Sequence, residues 1–166
     1  MKILPLLIGC VLLVSSCDEN GKDEIYNENN TSVSGGIVYN IEEKPIDGIY
    51  KVYYPDGEVK MEVQSKNGKP NGEGKFYTED GMLSFQGNFA DGKPDGVFYN
   101  YYPDGQIHNE MNYKNGIKDG SQKVYDEKGN LIAEVVFENG EPISGYTIIK
   151  DEKTALQADE LTELKQ

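Results

Sequence analysis

Between Ile37 and Ile149 apolar and polar residues alternate in short runs, and each run ends at a glycine-bearing turn. After the first turn of each unit the inward set would be Val59, Met61, Val63; then Leu83, Phe85, Phe89; then Ile107, Met111, Tyr113; then Leu131, Ala133, Val135, Phe137. Their alternates are largely polar, as in Glu58, Lys60, Glu62 and Gln64, so these strands should bury one face and wet the other. The runs before the turn share Tyr53, Tyr77, Tyr101 and Tyr125 but carry apolar residues on both parities. Either a bulge shifts the register there or aromatic side chains line both faces.

The turns recur with the runs. Gly48, Gly72, Gly96 and Gly120 lie 24 residues apart, as do Gly57, Gly81, Gly105, Gly129 and Gly68, Gly92, Gly116, Gly140. Tyr54-Pro55-Asp56-Gly57 and its echoes carry the chemistry of a tight turn, with proline presetting φ and glycine supplying a positive φ. Asn67-Gly68, Asp91-Gly92, Asn115-Gly116 and Asn139-Gly140 are the strongest short-range hairpin signal. Turns so closely spaced make successive strands antiparallel neighbours. The predicted fold is all-β, an elongated single-layer antiparallel meander of stacked 24-residue hairpins over residues 36–150. Residues 151–166, rich in helix formers, should add a short helix that caps the last strand with Leu156, Leu161 and Leu164.

The N-terminal end alters the picture. Met1-Lys2 precedes an apolar run from Ile3 to Val14 and then Ser15-Ser16-Cys17, too short for a spanning helix and shaped as a secretory signal. Val14-Ser15-Ser16-Cys17 resembles the lipobox of bacterial lipoproteins. That resemblance implies a signal peptide over residues 1–16 and acylation of Cys17, with a palmitate-type anchor in the cell envelope. Leu7-Ile8-Gly9-Cys10 fits the pattern too, but cleavage there would strand the apolar run Val11 to Val14 in the mature chain. Residues 17–35 are acidic and polar, with few apolar side chains, and read as a flexible tether that holds the repeats off the membrane. Whether the anchor sits on the periplasmic side or at the cell surface is left open by the acids after Cys17.

The formal net charge is −13, which opposes nucleic acid and anionic headgroups as partners. Beyond Cys17 the chain has no further cysteine, so no disulfide framework or thiolate metal site is available to the repeats.

The unit Gly-x-x-x-x-Tyr-x-x-x-Gly-x-Leu-x-x-x-x-x-Phe-x-x-Gly-Lys-x-x-Gly resembles the MORN-repeat variant of bacterial proteins, many labelled antitoxin-like. Gly72 to Tyr77 and Phe85 to Phe89 come nearest the standard pattern, while Ser65 stands where the other units have Phe89, Tyr113 and Phe137. The resemblance covers about Ile37 to Lys150. It implies an elongated sheet used as a scaffold or binding surface and carries no catalytic signature. Its antitoxin label implies a cytoplasmic protein, against the signal segment.

Chemistry outside binding finds little support. His108 is the lone histidine and its alternation puts it on the wet face. Asp56, Asp80 and Asp104 recur as turn formers without the dense oxygen ligands of a calcium loop. Gly72-Glu73-Gly74 lies in a strand, not at a strand-to-helix turn, so it is no phosphate loop. No enzyme activity, metal or cofactor is expected. The candidate binding residues are Tyr50, Tyr54, Phe98 and Tyr102, which share one parity; exposed, they would form a ridge able to grip a protein loop or stack on a sugar, and otherwise they are core. The leading expectation is a membrane-anchored lipoprotein whose repeats bind a protein partner. Its alternatives are a carbohydrate-binding surface protein and a cytosolic antitoxin-like protein.

Overall fold

The structure, a computed structural model, describes residues 25–34, 36–149 and 152–163. The signal segment 1–16, Cys17 and the first part of the tether lie outside the described residues.

Among the described residues thirteen strands and one helix follow in order: β1 Ile25–Asn27, β2 Thr31–Ser34, β3 Ile37–Asn40, β4 Gly48–Tyr53, β5 Val59–Lys66, β6 Lys69–Tyr77, β7 Leu83–Ala90, β8 Lys93–Tyr101, β9 Ile107–Lys114, β10 Ile117–Tyr125, β11 Leu131–Glu138, β12 Glu141–Ile149, β13 Glu152–Ala155 and α1 Ala158–Glu163. From β4 to β13 the chain is an antiparallel meander in which every strand pairs with its sequence neighbours. β1 joins the open edge of β4 in parallel, giving an 11-stranded sheet, and β2 and β3 form a separate hairpin. The substantial contacts between elements are those between sheet neighbours, with α1 against β12 as the exception. The architecture is the single-layer hairpin array that the repeats predict.

The turns obey their chemistry. In the first type the Gly57 N–H donates to the Tyr54 carbonyl at 3.0 Å and the Tyr54 N–H to the Glu58 carbonyl at 2.8 Å, with Gly57 at φ 94. In the second type both central residues take positive φ, for example Asn115 at 52 and Gly116 at 86, the type I′ geometry that matches strand twist. These tips also stitch the array together: the Gly92, Gly116 and Gly140 N–H groups donate to the carbonyls of Pro70, Pro94 and Lys118 in the preceding hairpin, at 2.8, 2.7 and 2.8 Å.

Two bulges per unit set the faces. The first falls on the strand after the turn: Val52 pairs with Met61, but Tyr53 pairs with Val59, so Lys60 is the extra residue. The same shift occurs at Tyr77/Leu83, Tyr101/Ile107 and Tyr125/Leu131. Val59, Leu83, Ile107 and Leu131 therefore leave the inward set and share a face with the tyrosines, a correction to the regular alternation expected of those strands. The second bulge lies near Gly72, Gly96 and Gly120, whose φ values of 114, 106 and 100 require glycine.

The ends differ from expectation. Within the tether predicted over residues 17–35, Ile25–Asn27 and Thr31–Ser34 are strands, joined by a turn in which the Asn27 N–H donates to Asn30 Oδ1 at 2.7 Å and the Thr31 hydroxyl to the Asn27 carbonyl at 2.7 Å. Edge pairing draws mainly on backbone groups, so a polar sequence can supply it. At the other end β13 occupies part of the segment predicted helical, and α1 is six residues long with none buried. The last long strand is covered by β13 and by Leu156, whose N–H donates to the Gly145 carbonyl at 2.9 Å and whose Cδ1 lies over the Gly145 Cα. Leu164 lies outside the described residues.

Candidate functional site

A single sheet offers two faces. The apolar face carries an aromatic mosaic in its middle: Phe98 is ringed by Phe85, Phe89 and Tyr113 at centroid separations of 5.3, 5.2 and 5.4 Å, and Phe76 stands edge-on to Phe85 at 5.3 Å. Edge-to-face and tilted pairs at this spacing are favourable ring geometries. Gly87 pairs directly with Phe98 and with Gly74, leaving room for rings to lie flat on the backbone. Phe98 is thereby only 1% exposed without a second layer above it.

The predicted ridge divides on this geometry. Phe98 is core, so it offers no surface to a ligand, and its cover comes from rings on β7 and β9 that its own strand does not reveal. Tyr50 is half-buried in register with Val63. The Tyr54 and Tyr102 hydroxyls donate to the carbonyls of Tyr77 and Tyr125 in the next hairpin, each at 2.8 Å, so these two side chains tie units together. Lys60 Nζ sits 5.5 Å from the Tyr54 ring centre, and His108, the matching bulge residue two units on, packs on Tyr102 at 4.5 Å. His108 belongs with the aromatic face, not with the wet alternates, because the bulge rotates it there.

The polar face is more ordered than its sequence suggests. One cross-strand row runs Lys51, Glu62, Lys75, Gln86, Tyr99, Glu110, Lys123, Glu134, Tyr146 in direct register. Lys51 pairs with Glu62 at 3.1 Å and Lys123 with Glu110 at 3.3 Å. Beside it lies a second row in which Tyr53, Tyr77, Tyr101 and Tyr125 alternate with Val59, Leu83, Ile107 and Leu131. Hydrogen bonds join the rows, the Tyr77 hydroxyl donating to Glu62 at 3.0 Å and Tyr125 to Glu110 at 3.3 Å, and within the first row Tyr146 donates to Glu134 at 2.7 Å. Ser121 also donates to Glu134.

These contacts move the acidities. Burial alone would raise the Glu62 carboxyl, but hydrogen bonds from Lys51 and Tyr77 and the charges of Lys51 and Lys75 outweigh it and hold the group below its ordinary value. Glu134 is held low by the Ser121 and Tyr146 hydroxyls. Tyr77 is raised by burial and by its bond to Glu62, so its phenol stays protonated. Glu62 also stands between two shallow depressions: one of about 240 Å³ is lined by Glu58, Val59, Tyr77 and Gly81 with it, and one of about 140 Å³ by Ile49, Val63, Gln64, Glu73 and Lys75. Among the described residues no group of three or more His, Cys, Asp and Glu could hold a metal ion, and no helix is long and apolar enough to cross a membrane.

Tyr53, Tyr77, Tyr101 and Tyr125 were not among the predicted binding residues. Their 24-residue recurrence was the available signal, together with Lys51, Lys75 and Lys123 two residues before three of them. A bulge is one of the two readings that the tyrosine runs allow, but its place, on the strand after the turn, left no mark in the sequence.

A search among curated proteins finds no match. Among solved structures the chain is similar to a crystal structure of a Staphylococcus aureus TarM mutant in complex with fondaparinux, alpha-GlcNAc-glycerol and UDP, with 15% identity and a TM-score of 0.26 over 75% of this chain and 21% of that one. A family model described as the MORN repeat variant matches residues 46–67, 70–91, 94–115 and 118–139, four consecutive units in phase with the glycine period. With more than half of its length matched in that way, the chain belongs to the MORN repeat variant family.

Proposed function

We propose that this chain is a lipid-anchored scaffold of the cell envelope, held through Cys17, whose repeat sheet binds a protein partner without catalysing a reaction. MORN repeats support the coarser part, a repeat-based role in binding or scaffolding. The observation that carries the proposal is the single layer itself. Eleven strands at about 4.8 Å spacing make a surface about 48 Å long, and the substantial contacts of each strand are with its sheet neighbours. Such a sheet gains little by length for its own stability, since each hairpin contacts only the next, but it gains contact area for a partner. The signal-like start and Val14-Ser15-Ser16-Cys17 support the anchor.

Palmitate labelling of cells expressing the full chain tests the anchor. Label in the wild type and none in Cys17→Ala is expected; an unlabelled wild type overturns it and favours a cytosolic antitoxin-like protein. The tyrosine rows also suit a glycan, so an array of envelope polysaccharides is the discriminating assay. Binding there without any protein partner in envelope pull-downs would replace the protein reading with a carbohydrate one.

A further inference from the structure

The tyrosine row of the polar face has a repeat length of its own. Tyr53, Tyr77, Tyr101 and Tyr125 stand on every second strand, β4, β6, β8 and β10, so they recur at about 9.6 Å along the sheet. Between them lie Val59, Leu83 and Ile107, with Leu131 after the last, which gives the row alternating aromatic and aliphatic steps. The hydroxyls of Tyr77 and Tyr125 are fixed by Glu62 and Glu110, so those rings are positioned before any partner arrives.

A ligand that met each tyrosine in the same way would need the same period. A polyproline II segment rises about 3.1 Å per residue with three residues per turn, repeating every 9.3 Å or so. An extended β segment repeats its facing side at about 6.6 Å, and an α-helix at about 5.4 Å per turn, and neither keeps step with the row over three intervals. Aromatic-lined grooves are the usual partners of polyproline II segments, which arrive already stiff and carry unpaired backbone carbonyls. Lys51, Lys75 and Lys123 stand two residues before their tyrosines on the same face; each is ion-paired, with Glu62, Glu73 and Glu110 respectively, and its ammonium keeps further N–H groups for those carbonyls. Twist between neighbouring strands winds the row slowly. A polyproline II segment has no internal hydrogen bonds to break and follows with a small change in residues per turn.

Charge narrows the partner further. The row is bordered on its turn side by exposed acids, Asp56, Glu58, Glu79, Asp80, Asp104 and Glu127, in a chain of net charge −13. Basic side chains on the outer positions of a docked segment would meet them. From the matched period and this complementarity, we infer that the tyrosine row is a docking track for a basic, proline-rich segment of the protein partner. The inference deepens the scaffold reading and rests on it.

The test titrates the full chain with a synthetic peptide of four Arg-Pro-Pro triplets and with a control of four Arg-Gly-Ser triplets, which has equal charge without the stiff backbone. Saturable binding of the first, at least about tenfold tighter than the control, is expected. Affinity should rise stepwise from two to four Arg-Pro-Pro triplets in the wild-type chain, a readout that needs no variant. Tyr77→Ser with Tyr101→Ser should weaken binding by about tenfold or more while melting stays cooperative. Equal binding of the two peptides, no binding of either, or affinity independent of triplet number overturns the track. A partner captured from the envelope that still binds the double variant would overturn the track yet leave the scaffold reading standing. Missing palmitate label would overturn the anchor alone.

Discussion

Replacing Gly87 by alanine isolates the packing that lets a single layer have a core. Gly87 does not occupy the left-handed region, so its backbone accepts a side chain. On that ground alone Gly87→Ala should stabilise by about 0.4–1 kcal/mol through the unfolded chain. The added Cβ, however, would stand closer than 3.0 Å to Cδ1, Cε1 and Cγ of Phe98. Carbon atoms prefer roughly 3.5–4.0 Å, so the ring must move by about 1 Å or more. It has nowhere to go, with Phe85, Phe89 and Tyr113 around its edge. Overpacking of this kind costs about 1–3 kcal/mol, which exceeds the backbone gain and leaves a net loss of about 1–2 kcal/mol. Urea unfolding followed by far-UV circular dichroism reads it as a lower midpoint at unchanged slope. Gly105→Ala is the control for backbone strain alone, since Gly105 has φ 85 and nothing within 4 Å of the new atom. Combining Gly87→Ala with Phe98→Leu should cost less than the two single changes added together. A Gly87→Ala chain as stable as the wild type, or more so, would refute the account of the aromatic mosaic.

Further outcomes follow from the turns and the rows. Gly116→Ala forces a side chain into φ 86 at a type I′ tip and should cost about 1–2 kcal/mol, whereas Asp91→Asn should be near neutral because other copies of that turn carry asparagine; thermal melts compare the two. Tyr54→Phe and Tyr102→Phe each remove one bond between hairpins and should cost about 0.5–1.5 kcal/mol, nearly additively because the sites lie two units apart. Glu62 and Glu134 titrate below their ordinary value of 4.5 in the folded chain, so their stabilisation is present above that pH and lost as pH falls through the depressed values. Glu62→Gln should flatten part of the acid limb of a stability-against-pH curve, and an unchanged limb would contradict the row's hydrogen bonds. Tyr77 has the opposite sign: its raised phenol contributes below pH 10.0 and loses that contribution as pH rises through the folded value, so Tyr77→Phe should soften the alkaline limb.

Turns were the most legible part of the sequence because their chemistry is local. Asn115-Gly116 and Tyr54-Pro55-Asp56-Gly57 need positive φ or a fixed φ at defined places, and only a few residue types supply them. Bulge position was not legible, since either partner strand can carry the extra residue. Val59, Met61 and Val63 look like one alternating set until the skipped Lys60 turns Val59 to the other face. The burial of Phe98 was hidden for a related reason: its cover comes from Phe85, Phe89 and Tyr113, and its floor from Gly87, all on neighbouring strands. Short edge strands escaped because Ile25–Asn27 and Glu152–Ala155 pair through backbone groups that any polar sequence has. The site suffered most from the bulge. Parity grouped Tyr50, Tyr54, Phe98 and Tyr102, yet Phe98 among them is core, and the row of Tyr53, Tyr77, Tyr101 and Tyr125 with its aliphatic partners emerges only with the register shift.

Site-specific photo-crosslinking in the cell envelope tests the central claim most directly. A photoreactive phenylalanine analogue in place of Tyr101 lies on the tyrosine row, and one in place of Lys114 lies exposed at the opposite end of the hairpins of the same sheet. The account predicts a protein adduct from position 101 and none from 114, found in the membrane fraction and lost from it with Cys17→Ala. Adducts from neither position, or a chain that stays in the soluble fraction with Cys17 intact, would contradict it.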